Sequence, residues 1–209
     1  MILLVDNTID GQGASPRELS AALTRIRPDL EVLLEPYGKV SPKLIAEANP
    51  SHVILSGQSH PWDEYEADSL AGVFAVIRQA ERPVLGVCGG HQQMAIAFGA
   101  SVGLMKRTGP GTGYEGAFRE RGFFPIHQTV EGSDALFRDL PESLTVWHSH
   151  CDEVKDVPPG FRVTAANATC PIQAMEHTSK PLFGVQFHPQ LFDAEHPAGR
   201  RVVENFLDL

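Results

Sequence analysis

Hydrophobic and polar positions along this chain switch repeatedly between two spacings. Short apolar runs at 2–5, 32–34, 53–55 and 84–87 have the length and continuity of strands buried on both faces. Between them, Leu19, Ala22, Leu23 and Ile26 recur at helical spacing, as do Leu70, Val73, Phe74 and Ile77, so each set marks the apolar face of a helix. Ser15-Pro16-Arg17-Glu18 precedes the first set with the residues of a capping box and proline in the first turn. Ser41-Pro42 opens a shorter helix carrying Leu44 and Ile45. Strand and helix in alternation predict an α/β fold with a mostly parallel central sheet and helices on both faces. The second half holds further strand-like runs at 144–147, 161–165, 172–175 and 182–187, then a last helix at 199–206. With no repeat and no long linker, residues 1–209 read as a single domain, long enough to bury a core without disulfides.

The run at 84–87 ends in Gly86-Val87-Cys88-Gly89-Gly90, and a helix at 89–98, closed by Gly99, follows at once. This is a glycine-flanked nucleophile turn between strand and helix, with cysteine where the hydrolase form has serine. The turn is sharp enough that only residues lacking a β-carbon fit beside it. It lifts the sulfur clear of the sheet and sets it at a helix N-terminus, where the dipole and the free N–H groups favour thiolate. The Gly89 N–H, just after the sulfur-bearing residue, is placed to donate to an oxyanion. A lone cysteine after an apolar run is commonly a small core residue; glycines on both sides turn the reading of Cys88 toward a catalytic nucleophile. Such a nucleophile needs a base and a group that orients the base. The run at 182–187 delivers His188 at its end, and the side chain of Gln190 can reach the far ring nitrogen. Cys88 and His188 both follow strands, at the sheet end where folds of this class bind ligands.

Charge narrows the partners. Twenty-six acidic residues against 17 lysines and arginines give a net charge of −9, which disfavours nucleic acid and membrane surfaces. No apolar run has membrane length, and the three cysteines, Cys88, Cys151 and Cys170, form no disulfide pattern, so the expected location is a reducing cytoplasm. His148, His150 and Cys151 lie close together like metal ligands, but neighbours on a strand alternate faces and no fourth ligand is evident; no metal and no cofactor are predicted. The stretch 106–122 carries five glycines and no period, and reads as a surface loop, with a flap over the substrate pocket or a partner contact as alternatives.

Gly86-Val-Cys-Gly-Gly-His-Gln92 and Gly184-Val-Gln-Phe-His-Pro-Gln190 resemble the two signatures of the class I glutamine amidotransferases. The likeness extends to Met1-Ile-Leu-Leu-Val-Asp-Asn7, to Val53-Ile-Leu-Ser-Gly57 and to Trp147-His-Ser-His-Cys-Asp-Glu-Val154. The resemblance implies a flavodoxin-like amidotransferase domain in which Cys88, His188 and Gln190 form the triad and the N–H groups of Gly57 and Gly89 form the oxyanion hole. It also implies that Gln92, Ser149 and His150 contact substrate L-glutamine. Within the family the chain is most similar to the stand-alone glutaminase subunits of GMP synthetase, on Ser149-His-Cys-Asp-Glu-Val154, Gly160-Phe-Arg-Val163 and Gly199-Arg-Arg-Val-Val-Glu-Asn-Phe206. The implied activity is hydrolysis of the glutamine side-chain amide through a Cys88 thioester. Ammonia would then pass to a separate synthetase subunit, the ATP-pyrophosphatase that aminates XMP to GMP. The sequence departs from the family where glutamine, not glutamate, is the third triad member, and where Gln58-Ser-His-Pro61 follows Gly57. Two alternatives stand beside this activity: a free-standing γ-glutamyl hydrolase of the same superfamily and, because Gln190 replaces the triad glutamate, a degenerate amidotransferase acting as a binding or regulatory subunit.

Overall fold

The structure, a computed structural model, describes residues 1–129 and 135–209. Strands β1 (Ile2–Asp6), β2 (Val32–Pro36), β3 (His52–Leu55) and β4 (Val84–Val87) stand where the apolar runs predict them, separated by helices α1 (Ala14–Ile26), α2 (Pro42–Ala48) and α3 (Ala67–Arg78). Helix α4 (Gly89–Ala97) leaves the end of β4, and α5 (Ala198–Leu207) closes the chain. Strand β11 (Leu182–Val185) lies parallel to β4, so the parallel part of the sheet runs β2-β1-β3-β4-β11. Beyond β11 the same sheet continues antiparallel through β10 (Ala174–His177), β9 (Phe161–Ala166), β6 (Glu120–Gln128) and β7 (Ser143–His150). A separate two-stranded ribbon pairs β5 (Val102–Leu104) with β8 (Asp152–Val154).

Both faces of the parallel part are covered, and the alternation of side chains along each strand decides which residue goes where. Ile2 and Leu4 face α1 and α5, packing with Leu19, Leu23, Val203 and Phe206. Leu3 and Val5 face α3 and α4, packing with Val73, Ile77 and Met94. All of these side chains are at most 1% exposed, and full burial of a side chain of this size contributes roughly 1.5–3 kcal/mol before the entropy of ordering it.

Two expectations change. Ser15 does not cap α1: the helix begins at Ala14 behind Gly13, two residues earlier than that cap implies, and the Ser15 hydroxyl instead accepts from the Gly57 N–H at 2.9 Å. The second helix does open at Ser41-Pro42, where Ser41 Oγ accepts from Leu44 N at 3.2 Å and caps it. The glycine-rich stretch ends inside the sheet, since β6 starts at Glu120 and pairs along its length with β7. Gly122 and Pro125 interrupt its pattern, which conceals a strand whose backbone is held mainly by its neighbour.

Candidate functional site

The end of β4 sets the geometry. Cys88 sits at φ 51° and ψ −101°, a backbone region L-residues rarely occupy, and such strain costs about 1–3 kcal/mol that surrounding packing must hold in place. The flanking glycines make that packing possible. A β-carbon on Gly86 would lie 2.5 Å from the Gly90 carbonyl, and one on Gly90 would lie 2.3 Å from the Leu55 carbonyl oxygen. Strand β3, the turn and α4 therefore meet at backbone contact.

Because β4 and β11 are adjacent and parallel, their ends bring Cys88 and His188 to one cavity of about 340 Å³, although the residues are a hundred positions apart in the chain. Gln92, Ser149 and His150 line the same cavity, so the residues that the family resemblance marks as substrate contacts share it with Cys88 and His188. Gln190 stands behind His188, with its amide nitrogen 3.0 Å from Nδ1. The other ring nitrogen, Nε2, and the amide oxygen of Gln190 have no hydrogen-bond partner among the described residues. In this orientation the amide donates to Nδ1 and leaves the ring proton on Nε2. Rotating the amide by half a turn exchanges its two ends, so that Nδ1–H donates to the oxygen and Nε2 carries the lone pair.

Burial dominates the acid–base chemistry. It pushes the Cys88 thiol up to about 12, against the lowering influence of the Gly89 N–H and, less strongly, the Arg119 charge. It pulls His188 down to about 4, and the neighbouring His150 and His148 add to that. Burial therefore opposes both charged forms, the imidazolium of His188 and the Cys88 thiolate that the helix N-terminus favours.

Around this centre Gln92 is joined by groups to which the motifs assign no role, Gln186, Tyr114 and Ser15. Gln186 Nε2 is 3.6 Å from the Cys88 sulfur, and its oxygen accepts from Gln92 Nε2 at 3.0 Å. Gln92 also donates to the Asp152 carbonyl at 3.1 Å and accepts from Trp62 Nε1 at 2.8 Å, which locks its side chain. Tyr114, from the glycine-rich loop, donates to Asp152 Oδ2 at 2.7 Å and accepts from Gln58 Nε2 at 2.9 Å, and it lines the same cavity as Cys88, which is only 3% exposed. A lone tyrosine among glycines was the available signal. Ser15 had none, because its contact with Gly57 joins residues 42 positions apart. That contact also occupies one of the two N–H groups expected in the oxyanion hole.

His150 is held by two acceptors, the Asp152 carbonyl and Glu120 Oε2, both at 2.9 Å. His148 Nδ1 lies 3.3 Å from the same carboxylate oxygen, so Glu120, His148 and His150 present three buried donor atoms within 4.8 Å of one another. Cys151 is outside this group. Asn167 and Gln173 donate to Glu120 as well. Burial pushes the Glu120 carboxyl up, but His148 and His150 outweigh it and hold the group well below the usual carboxylate range. The arrangement is that of a buried carboxylate matched by imidazole and amide donors. Among the described residues no helix is long and apolar enough to cross a membrane.

Residues 17–209 match the model of the family described as glutamine amidotransferase class-I. The glutamine-hydrolyzing GMP synthase subunit of Thermococcus kodakarensis is 36% identical over 79% of this chain and 78% of its own length. Its namesake in Methanocaldococcus jannaschii is 36% identical over 81% of this chain and 85% of its own. Among solved structures, a proposed GMP synthase subunit from Thermoplasma acidophilum superposes with a TM-score of 0.78 at 29% identity, covering 99% of this chain and 92% of the other. A glutamine amidotransferase from Thermotoga maritima, 22% identical, shares the fold with a TM-score of 0.69 over 99% of this chain and 82% of its own. A cysteine turn and a strand-end histidine opening on one cavity, together with a family match over nearly the whole chain, leave one assignment: this chain belongs to the class I glutamine amidotransferases.

Proposed function

We propose that the chain is a glutaminase that releases ammonia from the side-chain amide of L-glutamine and supplies it to a separate synthetase subunit, that of GMP synthase. The observation that carries this reading is the convergence of Cys88 and His188 on one cavity from adjacent parallel strands. The cavity's size, about 340 Å³, is at the low end for small-molecule sites and suits a free amino acid better than a γ-glutamyl peptide.

The reaction follows from the groups present. His188 Nε2 removes the Cys88 proton as the sulfur attacks the amide carbon, giving a tetrahedral oxyanion and an imidazolium. The Gly89 N–H donates to that oxyanion, and the Gly57 N–H joins it once the Ser15 hydroxyl turns aside; a donor of this kind typically contributes about 2.7–4 kcal/mol. The imidazolium then protonates the leaving nitrogen, the C–N bond breaks, and ammonia departs from a γ-glutamyl thioester. Water, deprotonated by the same histidine, attacks the thioester and releases glutamate and the thiol. Gln190 orients the imidazole through its amide oxygen in the rotated state described above.

The test is ammonia release from L-glutamine by the purified chain, alone and with a GMP synthase synthetase subunit, using Cys88→Ala as control. Release that disappears in Cys88→Ala is the expected result. Equal release by both proteins would remove Cys88 from the mechanism, and none from either, even with the synthetase, would overturn the glutaminase reading.

A further inference from the structure

The Cys88 sulfur has a side-chain donor that neither the triad nor the oxyanion hole accounts for. Gln186 follows β11 and is fully buried, and its Nε2 lies 3.6 Å from the sulfur. Two backbone contacts seat the residues side by side. Cys88 N donates to the Val185 carbonyl at 2.8 Å, and Gln186 N donates to the Gln173 carbonyl, also at 2.8 Å. An amide side chain has a donor end and an acceptor end, so the sulfur receives a hydrogen bond only if something fixes which end faces it.

A relay of side chains fixes it. The indole Nε1 of Trp62 can only donate, and it donates to Gln92 Oε1 at 2.8 Å. A carbonyl can only accept, and that of Asp152 accepts from Gln92 Nε2 at 3.1 Å. Turning the Gln92 amide over would set donor against donor at Trp62 and acceptor against acceptor at Asp152. Gln92 Nε2 is thereby committed to Gln186 Oε1, 3.0 Å away, and the NH2 group of Gln186 is left facing Cys88.

We propose that Gln186 is a catalytic residue that donates to the Cys88 sulfur whenever the sulfur carries negative charge, with Gln92 and Trp62 as the positioning residues that hold its amide in that orientation. This rests on the glutaminase reading and adds a group to its reaction. Charge gathers on the sulfur twice in the cycle, as its proton leaves for His188 and again as the tetrahedral adduct of the thioester collapses and expels it. Burial makes that charge costly, pushing the thiol up to about 12. The Gly89 N–H also favours the thiolate, but the oxyanion claims it during the reaction, which leaves Gln186 beside the sulfur.

The experiment measures ammonia release from L-glutamine and the rate of iodoacetamide alkylation at Cys88, followed by peptide mass spectrometry at one fixed neutral pH. It compares the unaltered chain with Gln186→Met, Gln186→Glu and Trp62→Phe. The other ionisable groups around the sulfur, His188, Asp152, Arg119 and Cys151, are retained in all of them. Loss of a hydrogen bond to a charged group should make the thiolate roughly 10–100-fold rarer. A thiolate of higher pKa is more nucleophilic, which offsets part of that, so Gln186→Met should slow both alkylation and kcat by roughly 3–10-fold with little change in KM. Gln186→Glu sets a carboxylate against the sulfur and should slow both further, while Trp62→Phe should slow both by less. The sign separates this from a structural role, because a loosened core exposes the sulfur and speeds alkylation. Alkylation at an unaltered or raised rate in the Gln186 variants overturns the proposal, and slowing confined to them removes Trp62 from the relay. If Gln186→Met does not fold, as judged by its urea transition, Gln186→Glu decides. Alkylation needs no glutamine, so its slowing supports the donor even if the unaltered chain releases no ammonia. Ammonia release by the unaltered chain with unaltered alkylation in the variants sinks the donor alone.

Discussion

Replacing Gln190 by glutamate tests the least usual feature of the site. His188 is pulled from 6.5 to about 4, chiefly by burial, so forming its imidazolium costs about 3 kcal/mol more here than in water. The Gln190 amide, 3.0 Å from Nδ1, can orient the ring but supplies no charge to offset that cost. A carboxylate in its place accepts from Nδ1–H with either oxygen, ending the competition between the two amide orientations. It also adds a hydrogen bond between charged partners worth about 1.5–3 kcal/mol in the imidazolium state. At about 1.36 kcal/mol per decade, Gln190→Glu should raise kcat/KM for glutamine hydrolysis by roughly 10–100-fold. The sign of the pH effect follows. The base works when neutral, so the acid limb of kcat/KM lies near the low His188 value in the unaltered chain, and stabilising the imidazolium moves it to higher pH. Ammonia release measured between about pH 4 and 8, with a multi-component buffer, reads both effects. A rate within about twofold of the unaltered chain together with an unmoved acid limb would refute the assignment of Gln190 as the orienting group.

Other outcomes follow from the same packing. His188 and His91 are both buried and held neutral, at about 4 and about 3 against an ordinary 6.5. Below pH 6.5 the unfolded chain therefore binds protons that the native state refuses, and urea-measured stability should fall as pH drops through 6.5 toward 4 by several kcal/mol; a flat profile would contradict the burial of these rings. Tyr114→Phe removes the hydroxyl shared by Asp152 and Gln58, so trypsin cleavage at Arg107 and alkylation of Cys88 should both accelerate several-fold, and unchanged rates would mean that the loop is held by other contacts. Gly90→Ala places a β-carbon 2.3 Å from a strand carbonyl and should cost about 1–3 kcal/mol, visible as a lower urea midpoint.

The parallel half of the fold was legible in the amino-acid order, as were Cys88 and His188 as the candidate chemical residues beyond the ends of two of its strands. Runs such as 2–5 and 84–87 are buried on both faces, so burial alone makes them continuous and legible. Cys88 is announced by glycines that the turn cannot do without, and His188 by an apolar run at 182–187, although the strand itself stops at Val185, three residues short of the histidine. Tertiary structure decided the rest, because it depends on residues distant in the chain. The antiparallel extension carries β6, whose Gly122 and Pro125 break the alternation that would mark a strand, and pairing with β7 makes it one. The Ser15 hydroxyl satisfies a local capping pattern on paper, yet bonds to Gly57 because the fold brings an N–H to it from 42 residues away. Protonation shows the same division. A helix N-terminus is a local feature that favours thiolate, whereas desolvation, which wins at Cys88 and His188, is set by everything packed around them.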